Sequence, residues 1–64
     1  ERPLGYIHMK RIERAQYLIA TTNLPYIEIA EETGFENVPH FSKIFKKVTS
    51  LSPGEYKKRN HQRL

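Results

Sequence analysis

At 64 residues, with 11 lysines and arginines against 7 acids and a net charge of +4, the chain suffices for one small domain and is too short to enclose a large substrate cavity. It has no cysteine, which excludes disulfides and thiolate metal sites, and no apolar run approaches the roughly 20 residues that a membrane-spanning helix needs. The positive balance favours a polyanionic partner without naming one.

The placement of apolar residues predicts helices throughout. From about Leu4 to Ala20, the residues Leu4, Ile12, Ala15, Leu18 and Ile19 share one side of a first helix, with His8 and Arg11 at its margins. Tyr6, Ile7, Met9 and Tyr17 lie off that stripe, and this second apolar face calls for a second packing partner. Pro3 leads almost directly into the helical pattern, so a neighbouring unit is expected before it. Thr21, Thr22 and Asn23 make a polar loop. Pro25 suits the first position of the next helix, which is predicted to run to Thr33 with Tyr26, Ile29, Ala30 and Thr33 inward. Gly34 can adopt the left-handed conformation that ends a helix sharply, and Ala30 is small enough for close helix approach.

Asn37 then offers a capping oxygen to a third helix, with Pro39 in its first turn, where a missing N–H costs little. This helix is predicted from Val38 to Val48 or Thr49, with Phe41, Ile44, Phe45 and Val48 on its buried stripe. No glycine follows it, so Thr49 and Ser50 must turn the chain by less favoured means. Ser52, Pro53, Gly54 and Glu55 spell a capping box. A short closing helix follows, with Tyr56 docked on the core and a basic tail of Lys57, Lys58, Arg59, His61 and Arg63 that frays after Asn60. The expected organisation is one unit over residues 1–64, comprising a long helix over 1–20, a helix-turn-helix over 25–49 and a closing helix over 52–60. The expected fold class is all-α, a homeodomain-like bundle.

Chemistry concentrates on the third helix. Opposite Phe41 and Phe45 stand Pro39, Lys43 and Lys46, flanked by His40, Ser42 and Lys47. A helix of this kind fits the major groove of DNA, where its early residues meet base edges and lysines farther along meet phosphates. The competing reading is a solvated lysine face, and the tight corner at Gly34 favours the groove. Val38 and Pro39 have no side-chain hydrogen-bonding group and can only touch thymine methyls or select by shape. His40 and Lys43 are the candidates for polar base contacts, Lys43 to guanine N7 or O6. The alternative for His40 is a helix-start residue that meets only solvent or a phosphate. Ser42, Lys46 and Lys47 are assigned to phosphates, where they add affinity without sequence information.

Glu28, Glu31, Glu32 and Glu36 gather on the second helix and the turn. They are expected to point away from DNA, as ordinary solvated acids or, for Glu31 and Glu32, as a contact with a basic surface of RNA polymerase. His8, His40 and His61 fall on three different helices without paired ligand spacing, so no metal or other cofactor is expected. No serine has a context that would position a base, and no glycine-rich loop follows a strand, which leaves no expectation of catalysis. The rival to DNA binding is a protein-interaction module working through Tyr6, Ile7 and the acidic second helix.

The segments RIERAQYLI, EIAEETGF, HFSKIFKK and SPGEYKKR together resemble the C-terminal DNA-binding region of AraC/XylS-family transcriptional regulators. Arg11-Ile12, Ala15, Leu18, Ile29-Ala30, Gly34-Phe35, Phe41-Ser42, Phe45-Lys46, Ser52-Pro53 and Tyr56 carry the resemblance across nearly the whole chain. It implies two helix-turn-helix units joined by a long helix, each placing a recognition helix in successive major grooves of double-stranded DNA. On that likeness residues 1–20 are the joining helix, the first unit and a sensor or dimerisation domain lie elsewhere in the full-length protein, and the setting is a bacterial cytoplasm, on the nucleoid. Tyr6 and Ile7 would pack on the first unit and stand exposed without it. Family base contacts carry over to Val38, Pro39, His40 and Lys43. Three departures stand out: Pro25 replaces a capping serine, Ser50 replaces the glycine after the third helix, and Val38 with Pro39 shifts readout toward shape and phosphate contacts.

Overall fold

The computed structural model describes the chain over residues 4–62, and its side chains over residues 5–60. Four helices follow in order: α1 (Leu4–Thr21), α2 (Tyr26–Glu32), α3 (Val38–Thr49) and α4 (Pro53–Gln62). There is no strand among the described residues, and no helix among them is long and apolar enough to cross a membrane. The side chains of Leu4 and His61, and Pro3 and Arg63 altogether, lie outside the described residues.

Each helix contributes its expected stripe to one core. Ile12, Ala15, Leu18 and Ile19 of α1 meet Ile29 and Ala30 of α2 and Phe41, Ile44 and Phe45 of α3, and Phe35 from the turn completes the cluster. Phe41, Phe45, Ile12 and Ile29 are the largest fully buried side chains, and each such burial contributes roughly 1.5–3 kcal/mol. Tyr56 of α4 packs against this core, with its ring 5.6 Å from that of Phe45. Val48 departs from expectation. It lies on the stripe of α3 yet is 39% exposed, because that stripe continues one turn past Ile44 and Phe45, where the core cluster ends.

The loop after α1 is held by threonines. The Thr21 hydroxyl donates to the Tyr17 carbonyl at 2.7 Å, and that of Thr22 donates to Leu18 O at 2.6 Å while accepting from Leu24 N at 3.3 Å. These bonds carry α1 one residue beyond Ala20. Pro25 is the residue before α2 rather than its first helical position: its ψ of 154° is extended and no side chain caps the helix. Its carbonyl nevertheless accepts from Glu28 N at 3.0 Å and Ile29 N at 3.1 Å, so the helix begins without the missing serine.

The corner between α2 and α3 is a Schellman motif. Phe35 N donates to Ala30 O at 2.8 Å and Gly34 N to Glu31 O at 3.2 Å, with Gly34 at φ +91° as that motif requires. α2 ends at Glu32, one residue earlier than expected, and buried Thr33 closes it by donating its hydroxyl to Ile29 O at 2.7 Å. At the far end of α3, Ser50 takes φ +69° and donates its N–H to Lys46 O at 2.7 Å. The Thr49 hydroxyl supports this reversal by donating to Phe45 O at 2.9 Å and accepting from Leu51 N at 3.1 Å. The capping box of α4 closes in both directions, Glu55 N to Ser52 Oγ at 3.2 Å and Ser52 N to Glu55 Oε1 at 3.0 Å. The helix runs to Gln62, two residues past Asn60, whose side-chain amide donates to Tyr56 O at 3.3 Å.

Candidate nucleic-acid interface

α3 starts where its sequence says it should. Asn37 is extended and its side-chain oxygen accepts from His40 N at 2.8 Å, with Pro39 in the first turn where its lack of an N–H is harmless. Phe41, Ile44 and Phe45 are buried, so the helix is anchored along one side and its opposite side is fixed in orientation. On that opposite side Pro39, Lys43, Lys46 and Lys47 are exposed and Ser42 is half-buried. α3 carries no carboxylate. Lys46 and Lys47 fall in its last turn, where cations also complement the helix dipole.

Val38 and His40 differ from Pro39 and Lys43, the other base-contact candidates, in being half-buried. His40 packs inward on one edge. Its ring stands edge-on to Phe35 at 5.5 Å and to His8 of α1 at 6.2 Å, and its Nδ1 is buried with no hydrogen bond among the described residues. His40 thus packs one edge of its ring at the start of α3, with Nδ1 buried. His8 also stacks on Phe35 at 6.1 Å, so two of the three histidines meet across helices. No group of three metal-ligating side chains occurs among the described residues.

Two more residues position α3, and neither role is evident from the sequence. Phe35, 5% exposed, links His8 to Phe41, with rings 5.6 Å apart in the latter pair, and Phe41 continues to Phe45 at 5.7 Å. Arg11, placed at the margin of the α1 stripe, reaches the corner and donates a long hydrogen bond of 3.4 Å to Gly34 O. A Cβ on Gly34 would lie 3.2 Å from its guanidinium. The corner is thus braced from α1 by a cation and an imidazole.

Glu28, Glu31, Glu32 and Glu36 are all exposed, and Ile27 beside them is 58% exposed. On α1, Tyr6, Ile7, Met9 and Tyr17 are 37–58% exposed, the uncovered second face that the sequence predicts. Lys10 and Arg14 lie over the Tyr6 and Tyr17 rings at 5.9 Å and 5.6 Å.

Residues 1–59 match the helix-turn-helix domain family. The arabinose operon regulatory protein of Escherichia coli (strain K12) is 38% identical over 54 residues, covering 84% of this chain and 18% of that protein. The transcriptional activator NphR of Rhodococcus sp is 36% identical over 60 residues, covering 94% of this chain and 18% of NphR. The transcriptional activator RhaR of Escherichia coli O1:K1 is 33% identical over 58 residues, 91% of this chain and 21% of RhaR. The chain thus spans about a fifth of the length of these curated relatives. No solved structure gives a significant match.

Proposed function

Because the chain belongs to the AraC/XylS family of helix-turn-helix regulators, we propose that it binds double-stranded DNA and serves transcription regulation in a bacterium, with α3 in the major groove. The observation that carries this reading is the outward side of α3, a capped and anchored helix presenting three exposed lysines and no acid. A helix of that width enters the groove with its first turns toward the bases.

Pro39 and Lys43 are the exposed base-contact residues, with Lys43 directed at guanine. Val38 contributes only an apolar edge. His40 contributes to readout through Nε2 alone, since its Nδ1 is buried. Ser42, Lys46 and Lys47 hold phosphates. With few polar groups for base edges, shape and backbone contacts supply much of the discrimination. The reading includes a second helix-turn-helix unit on the exposed face of α1, in a longer protein with a sensor or dimerisation domain, working in the cytoplasm at the nucleoid. Glu31 and Glu32, exposed on the opposite charge face, are proposed to touch RNA polymerase. Reversing both charges should abolish activation in an in vitro transcription assay while DNA affinity stays unchanged, and intact activation would remove that contact.

The test of the main reading is a titration of selected and random duplexes at low and moderate salt. Lys43→Ala should narrow the gap between the two duplexes by about 1–3 kcal/mol. Lys46→Ala should weaken both alike and lower the salt slope by about one. Equal effects of the two substitutions on both duplexes would overturn the division of roles, and absence of any salt-sensitive binding by the parent protein would point instead to a protein-interaction module.

A further inference from the structure

The basic residues of α4 stand outside the α3 interface and surround a structural feature of their own. Leu51, Glu55, Lys58 and Arg59 line an open basin of about 370 Å³ at the corner between α3 and α4. Lys58 and Arg59 are exposed, and neither is held in an ion pair among the described residues.

We propose that this basin seats a phosphate of the DNA backbone, with Lys58 and Arg59 as the contacting cations, and so extends the interface from α3 onto α4. The proposal rests on the DNA-binding reading above and adds a site to it.

Three observations support it. The first is continuity: α3 ends at Thr49, and Leu51, two residues on, already lines the basin, while Lys46 in the last turn of α3 is among the charges that act on Glu55 at its rim. A DNA strand held at Lys46 would continue toward this end of α3 and the basin. The second concerns Glu55 itself. Its carboxyl is held below its ordinary pKa chiefly by the Ser52 backbone N–H, with Lys46 and Arg59 adding to the effect. That acid is committed to capping α4, and with Lys46, Lys58 and Arg59 around it the corner has three cations against one carboxylate. The third is shape. A shallow seat rimmed by flexible cations suits a phosphodiester in passing and lacks the enclosure that holds a small metabolite. Arg59 offers a planar fork for two phosphate oxygens, and Lys58 a point charge beside it.

The experiment is a salt titration of the full-length protein on random-sequence duplex DNA, with Lys58→Gln, Arg59→Gln and Lys46→Gln compared to the parent. Each phosphate that is no longer neutralised should lower the slope of log K against log salt by about 0.9 and weaken binding about 3- to 8-fold near 0.1 M salt. Phosphate-ethylation interference should disappear in Arg59→Gln at one or two phosphates adjoining those silenced by Lys46→Gln. If Lys46→Gln lowers the slope while Lys58→Gln and Arg59→Gln leave slope and interference unchanged, the seat on α4 is overturned and the α3 interface stands. If the parent shows no salt-dependent duplex binding, the DNA-binding reading falls instead. Substitutions that spare DNA binding yet stop activation in vitro would assign the basin to an acidic protein partner and also overturn the proposal.

Discussion

Ser50 is the residue at which backbone geometry and side-chain identity disagree. An L-residue in the left-handed region costs roughly 1–2 kcal/mol, and Ser50 accepts that position, φ +69°, because its N–H closes α3 on Lys46 O. Glycine would remove the steric cost but bring more conformational freedom to the unfolded chain. Ser50→Gly should therefore raise stability by about 0.5 kcal/mol, read as a higher denaturant midpoint at unchanged slope. A lower midpoint would mean that the serine side chain stabilises the corner in some other way. Gly34, at φ +91° beneath the Arg11 guanidinium, is the opposite case, a position where glycine already matches the geometry. Its role is legible from spacing alone, four residues after Ala30. The Arg11 brace is not, because its hydrogen bond spans 23 positions and no local pattern encodes it.

At the scale of elements, helix ends are the most legible feature and helix faces less so. Asn37 caps α3, and Ser52 with Glu55 boxes α4, since each device closes within three residues and depends only on side-chain chemistry. The apolar period identifies the buried face of α3 at Phe41 and Phe45 but misplaces Val48, whose exposure depends on where the rest of the core stops. The box of α4 also makes a pH prediction. The folded-state pKa of Glu55 is lowered, mainly by the Ser52 amide, so its contribution is fully present above the ordinary glutamate pKa and is lost as pH falls through the lowered value. Thermal melts should show Glu55→Gln below the parent at about pH 7, with the gap closing as the pH falls through the lowered value. A gap that persists in acid would show that the carboxylate charge is not what stabilises α4.

Across the whole molecule, charge is unevenly placed. Acids crowd α2 and the turn, bases predominate on α3 and α4, and α1 has an uncovered apolar face edged by Lys10 and Arg14. This placement allows a basic side to meet DNA while an acidic side remains free for another partner. If the first helix-turn-helix unit packs on α1 in the full-length protein, Ile7, 38% exposed in this chain, becomes covered there. Ile7→Ser should then destabilise the full-length protein by about 1–2 kcal/mol, whereas an exposed substitution usually stays within about 0.5 kcal/mol. A change within that smaller range would leave the face of α1 uncovered and argue against the bipartite packing.

The amino-acid sequence by itself determined the four helices, their caps, the sharp corner and the basic side of α3, because apolar period, glycine and capping chemistry act over a few residues. It also carried enough family-specific pattern to identify the kind of regulator. Only the tertiary structure shows what His40 packs against, since the Phe35 and His8 rings beside it come from the turn and from α1. The same holds for Arg11 over Gly34. Such contacts join residues far apart along the chain or on different helices, and their geometry exists only once the core has set the helices against one another.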